Sequence, residues 1–178
     1  MENNSMSFGK TIQTCFEKSF VFKGRAPRAE CWWWTLFVFI MIIISKLLIQ
    51  LQREVPDHMA LSVLFEHLFL SVFLAYLIIA TAAVTVRRLH DIGRSGWWYG
   101  GYMILWMIVE AAFIISGMDY NNIEKEVLKE AVMNEMLGTI LVPFLLLIIY
   151  CIVLNVWCCQ DSQPGTSKYG ENPKGIVE

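Results

Sequence analysis

Charge is scarce in this chain. Of 178 residues only 17% are Asp, Glu, Lys or Arg, and no long polar block lies outside the hydrophobic runs, so a separate soluble catalytic domain is not expected. Histidine occurs three times; His58 and His67 share one side of the hydrophobic runs with Glu66, but the three match no metal-ligand spacing. Cysteine occurs five times without a CxxC pair. Cys15, Cys31, Cys158 and Cys159 are expected on the reducing side and Cys151 within the last helix, which argues against structural disulfides. The adjacent Cys158 and Cys159 read as thiols at a helix end, with lipidation or redox chemistry as the alternative. A metal-binding carboxylate cluster and an activated serine or cysteine are also missing, and no cofactor or metal is expected. Residues 1 to 30 lack a short apolar core and a small-residue cleavage signal, so the first hydrophobic run reads as a retained helix and not as a signal peptide.

What is abundant is hydrocarbon. Hydrophobic residues make up 56% of the chain and the mean hydropathy is +0.50, which places it among membrane proteins. A helix needs about 20 residues to cross the ~30 Å hydrocarbon core. Four stretches are long enough, at about 31–51, 66–86, 97–117 and 137–157. The expected fold is all-α: one polytopic membrane domain over 1–178, with four transmembrane helices, an amphipathic cytoplasmic segment at 1–30 and a cytoplasmic tail at 158–178.

Basic residues give the orientation. Lys10, Lys18, Lys23, Arg25 and Arg28 in the amino-terminal segment, Arg87, Arg88 and Arg94 in the central loop, and Lys168 and Lys174 in the tail all fall on one side. That side is expected to be cytoplasmic, with both termini inside. The opposite flanks carry Lys46, Arg53, Lys125 and Lys129 against Glu54, Asp57, Glu66, Glu110, Asp119, Glu124, Glu126, Glu130 and Glu135. Tryptophan placement agrees, because indole prefers the headgroup interface. Trp32, Trp33, Trp34, Trp97, Trp98 and Trp157 fall at the cytoplasmic ends of the spans, and Trp106 lies deep.

Ahead of the first span, Phe8, Ile12, Phe16 and Phe20 recur every fourth residue beside Cys15. This predicts a short amphipathic helix, capped by Ser7, lying on the inner leaflet or packed into the bundle. Pro27 suits the first position of the next helix. Residues 119–136 are acidic, with Val127, Leu128, Ala131, Val132 and Met136 in a helical stripe and Asn121 with Glu124 as a capping box. The fourth span then continues a helix begun outside, with Pro143 placed to kink it. That acidic face meets an outer partner or simply solvent. Lys46 lies fourteen residues beyond Trp32 and Glu110 thirteen beyond Trp97, so each sits about 20 Å from the inner interface. They form an intramembrane polar pair, or Lys46 snorkels outward and Glu110 is protonated or meets a polar neighbour.

The densest charge is in RRLHDIGRSGWW, residues 87–98. Arg87 and Arg88 end the second span, where cations complement the carbonyl end of the helix dipole and anionic headgroups. Gly93 and Gly96 permit a tight reversal, Ser95 can cap the third span, and its free N–H groups with Arg94 would make an anion site. Asp91 can pair with an arginine and His90 can titrate near neutral pH.

Together with FKGRAPRAECWWW at 22–34 and PGTSKYGENP at 164–173, this segment resembles the domain of unknown function 805 family of small bacterial inner-membrane proteins, the YhaH-like proteins. The three signatures occur in the expected order, and the resemblance covers nearly the whole chain. It implies a multi-pass inner-membrane protein and carries no established activity. Its motif positions here are Gly24, Arg25, Arg28, Glu30, Trp33, Arg87, Arg88, Leu89, His90, Asp91, Gly93, Arg94, Ser95, Gly96, Trp97, Lys168, Tyr169 and Gly170. The acidic stretch 119–136 lies outside them.

All three signatures map to one membrane face. Arg25, Arg28, Arg87, Arg88, Arg94 and Lys168, with His90 and Ser95, are therefore expected to line one anion or lipid-headgroup pocket, with Glu30 and Asp91 as internal counterions. The alternative is a charge network that only fixes helix ends. The leading functional expectation is a binding or scaffold protein for anionic membrane lipid or for a partner membrane protein, including a homo-oligomer, with no nucleic-acid partner. A transporter or channel subunit using Lys46 and Glu110 is the second class. An enzyme acting on lipid phosphate, with His90 as acid or base oriented by Asp91, is the third.

Overall fold

A computed structural model describes residues 7–52, 60–121, 138 and 141–173. Five helices are described: α1 (Phe8–Glu17), α2 (Arg28–Gln52), α3 (Ala60–Asp91), α4 (Trp97–Asn121) and α5 (Val142–Cys159). No strand occurs among the described residues; the tail holds one isolated bridge, Ser167 with Gly170. Three helical segments, Arg28–Leu48, Leu68–Asp91 and Val142–Cys159, are long and apolar enough to cross a membrane. Phe39, Leu47, Phe69 and Val72 face outward, the inverse of a water-solvated bundle and compatible with a lipid-solvated one. Residues 53–59 of the expected outer loop between the first two spans and most of the acidic stretch, including Glu124, lie outside the described residues.

The chain divides into two compact units, Met1–Ser95 with Asp161–Glu178, and Gly96–Gln160. In the first, α1, α2 and α3 share a core of Cys15, Ala26, Trp34, Leu77, Ala80 and Val84, flanked by Ile12, Phe37, Met41 and Phe73. Ser7 caps α1 by accepting from the Lys10 N–H at 3.5 Å, and the helix buries Thr11 and Cys15 one turn apart. Trp34 differs from the interfacial pattern expected for the tryptophans. It is fully buried, and its Nε1 donates to Thr81 Oγ1 at 3.1 Å. A neighbouring hydroxyl thus supplies the polar partner that the headgroup region offers elsewhere.

Helix α3 runs past the expected end at residue 86 through Arg87, Arg88 and Asp91. Charges do not stop it because they are paired within the fold, Arg88 with Asp91 one turn on. It ends in a Schellman motif: the Gly93 N–H donates to His90 O at 3.1 Å and the Arg94 N–H to Leu89 O at 2.8 Å. Gly93 has φ +75°, and a Cβ there would overlap the Gln163 side chain. Both the left-handed turn and the approach of the tail therefore call for glycine.

In the second unit α4 packs on α5. Gly101 lets Tyr150 approach so closely that a Cβ would stand 2.9 Å from its hydroxyl. That hydroxyl donates to Trp98 O at 2.7 Å, and Trp98 meets Trp157 edge-on at 5.1 Å. Pro143 stands in the first turn of α5, where its missing N–H costs nothing.

Burial makes one thiol inert. Cys15 is 1% exposed, and desolvation, reinforced by the Glu30 carboxylate, pushes its thiol from 9.0 up to about 12. The folded thiol holds its proton more tightly than the unfolded one, so its contribution to stability is complete below pH 9.0 and declines as pH rises beyond that value. Maleimide at pH 8 is expected to modify the exposed Cys159 and spare Cys15 until the protein unfolds. Rapid modification of Cys15 in the folded protein would contradict this packing.

Candidate functional site

The segment between α1 and α2, the end of α3 and the tail meet in the first unit around three arginines. The stretch 24–26 lies along the end of α3, where the Ala26 N–H donates to Arg87 O at 3.1 Å. The tail is held on the other side, with the Gln163 N–H donating to Asp91 O at 3.0 Å. Between them the guanidinium groups turn inward.

Asp91 is the centre of the larger cluster. It has no exposed surface and accepts from Arg25 Nε at 2.9 Å, from Arg88 Nη1 and from Ser162 Oγ at 2.5 Å. Arg25 also donates to the carbonyls of Gln163 at 2.5 Å, Gly165 at 2.9 Å, Asp91 at 3.2 Å and Gly170 at 3.4 Å. Arg88 adds Ala26 O at 3.4 Å. A smaller cluster lies beside it. Arg87 Nη2 meets Glu30 Oε1 at 2.6 Å, and its Nη1 donates to Lys18 O at 2.8 Å and Val21 O at 2.7 Å. The Cys15 Sγ faces the same Glu30 oxygen at 3.9 Å.

Three buried guanidinium groups against two buried carboxylates leave one positive charge. Backbone carbonyls make up the difference, helped by the carbonyl end of the α3 dipole on which Arg88 and Asp91 sit. Such a knot fixes three distant segments in one geometry.

At the rim the contacts are looser. Arg28 meets Asp161 at 2.8 Å with the arginine partly and the aspartate largely exposed, a pair that contributes little. His90 stacks on Tyr169 with ring centroids 3.8 Å apart and planes within 5°, and its Nδ1 lies 3.3 Å from Gly24 O. Lys168 Nζ stands 4.8 Å from the centre of the same Tyr169 ring. Arg94 is partly buried in the turn after α3, where its own backbone closes the helix, and Ser95 follows it before α4.

The structure thus brings Arg25, Arg88 and Asp91 into one cluster, Arg87 and Glu30 into another, and His90 and Lys168 onto Tyr169. Lys46 lies in α2 and Glu110 in α4. They belong to different units and each is exposed. Sequence reasoning missed Asp161, Ser162 and Gln163, which precede the tail signature and dock it. Their one signal was a polar run directly after the last apolar helix. The carbonyl acceptors of Lys18, Val21, Gly165 and Gly170 carry no residue-type signal at all.

The family model described as "Protein of unknown function (DUF805)" matches residues 19–171. The chain belongs to this family. The match begins within the turn that Arg87 holds and closes just after the tail that Arg25 holds, so in this DUF805 protein every charged side chain of the knot falls within the family's span, while Cys15 and the Lys18 carbonyl precede it. The chain is also 33% identical over 101 residues to "Uncharacterized protein YiiR" of Escherichia coli (strain K12) and to its counterpart in Escherichia coli O157:H7. In each case the match covers 54% of this chain and 58% of the relative. The chain therefore spans under two thirds of the length of the curated relatives it matches. No solved structure matches it.

Proposed function

We propose that the chain is a bacterial inner-membrane protein with four spans, α4 supplying the fourth, and with both termini in the cytoplasm. Its role is that of a binding or scaffold protein. The arginine knot stiffens the cytoplasmic end of the bundle, and cations at its rim engage anionic phospholipid headgroups. Arg28, Lys168 and Lys23 are the residues that carry this contact. A membrane-protein partner or a second copy is the alternative occupant of that rim.

One observation carries the reading. Arg25, Arg87 and Arg88 are 1%, 3% and 0% exposed at the side chain and turn their terminal donors onto internal carboxylates and carbonyls, with Arg87 Nε buried and unpartnered. The buried cations serve as frame, and the ligand contact falls to the surrounding ones. His90, the residue an enzyme acting on lipid phosphate would use as acid or base, has one ring face covered by Tyr169 and its Nδ1 turned to Gly24 O. That favours binding over catalysis.

Basic residues near an anionic leaflet are worth about 1 kcal/mol each. The variant Lys23→Gln, Arg28→Gln, Lys168→Gln is accordingly expected to lose about 3 kcal/mol and to retain phosphatidylglycerol or cardiolipin roughly a hundredfold less than the parent. Native mass spectrometry of the purified proteins measures this. Unchanged retention of anionic lipid would overturn the proposal.

A further inference from the structure

The end of α1 does not sit above the bundle. Phe16 stacks on Tyr76 at 6.0 Å and meets Trp34 at 5.4 Å and Phe37 at 5.8 Å. Ser19 Oγ lies 2.5 Å from the Tyr76 hydroxyl, and the Phe20 ring is 6.0 Å from the Tyr76 ring. Phe37 is nine residues into α2, about 13 Å along its axis, and Tyr76 stands eleven residues before Arg87, about 16 Å. These levels fall inside the segments of α2 and α3 that are long and apolar enough to cross a membrane.

At that depth the chain turns, and the turn faces outward with hydrocarbon. Phe20, Val21 and Phe22 are 67%, 44% and 41% exposed. Irregular backbone is tolerated at membrane depth only where protein satisfies its polar groups. Here it does so from inside. Arg87 Nη1 holds the carbonyls of Lys18 and Val21 at 2.8 and 2.7 Å. Ser19 Oγ donates to Cys15 O or Phe16 O at 2.9 and 2.8 Å, and the Val21 N–H donates to Lys18 O at 3.0 Å.

We propose that the end of α1 and the turn Lys18–Lys23 form a half-membrane wedge. Phe20, Val21 and Phe22 are immersed in the acyl chains of the cytoplasmic leaflet, and Lys18 and Lys23 extend along the turn to its headgroups. Arg87 is the positioning residue that folds the wedge. The occupant is lipid hydrocarbon, because the patch lies level with span residues and is bracketed by cations suited to an anionic leaflet. This rests on the orientation proposed above, while the depth of the turn is a separate claim from anionic-lipid retention.

The test uses the full chain in phosphatidylethanolamine–phosphatidylglycerol vesicles, with Cys151→Ser and Cys159→Ser as background. Spin labels are placed singly at Val21→Cys, at Phe39→Cys on the outer face of α2, and at Thr166→Cys in the tail. Accessibility to oxygen relative to a water-soluble nickel chelate reports depth. The Val21 ratio is expected to approach that of Phe39 and to exceed that of Thr166 several-fold, and to keep that value in purely zwitterionic vesicles. A Val21 label as nickel-accessible as Thr166, with Phe39 still in hydrocarbon, overturns the wedge and leaves the membrane reading standing. A nickel-accessible Phe39 overturns both. Where Val21→Cys fails to fold, Phe22→Cys carries the same expectation.

Discussion

Replacing Asp91 by alanine is expected to destabilise the protein by about 3–5 kcal/mol, the range for removing one partner of a buried ion pair. Its carboxylate is the shared acceptor of Arg25 Nε, Arg88 Nη1 and Ser162 Oγ. Without it two guanidinium groups, 1% and 0% exposed, remain in a site that water does not reach. Asp91→Asn keeps an acceptor and discards the charge, so its loss should be smaller. Arg28→Ala provides the contrast: it breaks a pair in which the arginine is 41% and the aspartate 73% exposed, and its loss should stay below about 1 kcal/mol. Thermal or denaturant unfolding in detergent measures all three. An Asp91→Ala variant no less stable than Arg28→Ala would remove the knot from any account of how this fold is held.

The second large effect concerns Arg87 and Glu30. Arg87→Met alone leaves the Glu30 carboxylate, on a residue that is 2% exposed, without its cation, and strips the donors from Lys18 O and Val21 O. A loss of about 3–5 kcal/mol is expected. Glu30→Gln alone leaves Arg87 its two carbonyl acceptors and should cost less. Because the residues touch, the double variant should be more stable than the sum of single losses predicts, by an interaction energy of about 1–3 kcal/mol. Additive losses would show that each side chain acts through other partners. Arg87→Met should also expose the Lys18–Lys23 turn to protease before the rest of the chain.

Apolar length made three long apolar helices legible in the sequence, and their ends were harder to read. Helix α2 begins at Arg28 where the expected start was near 31, and α3 reaches Asp91 where the expected end was near 86. The same cause explains both. Arg28, Glu30, Arg87 and Arg88 look like interface residues when counted as charges, but three of them are buried with partners and stay inside helices. That the three signatures meet was suggested by the positive-inside reading, which expects them on one membrane side. Which way their guanidinium groups turn was not visible, because most acceptors are carbonyls, and every residue has one. The depth of α1 was hidden for a related reason: an apolar stripe at Phe8, Ile12 and Phe16 suits a membrane surface and a bundle groove equally.

The tail contact has a consequence for the order of synthesis. Arg25 and Asp91 are made early and are separated by α2 and α3, whereas Ser162, Gln163, Gly165 and Gly170 emerge only after α4 and α5. Until then Arg25 lacks its tail carbonyls and Asp91 lacks the Ser162 hydroxyl. A nascent chain stalled before the last helix therefore leaves Arg25 donors and an Asp91 acceptor without their tail partners, and a finished chain does not. Closure by the last-made segment turns completion of insertion into a chemical difference that proteases and chaperones can read.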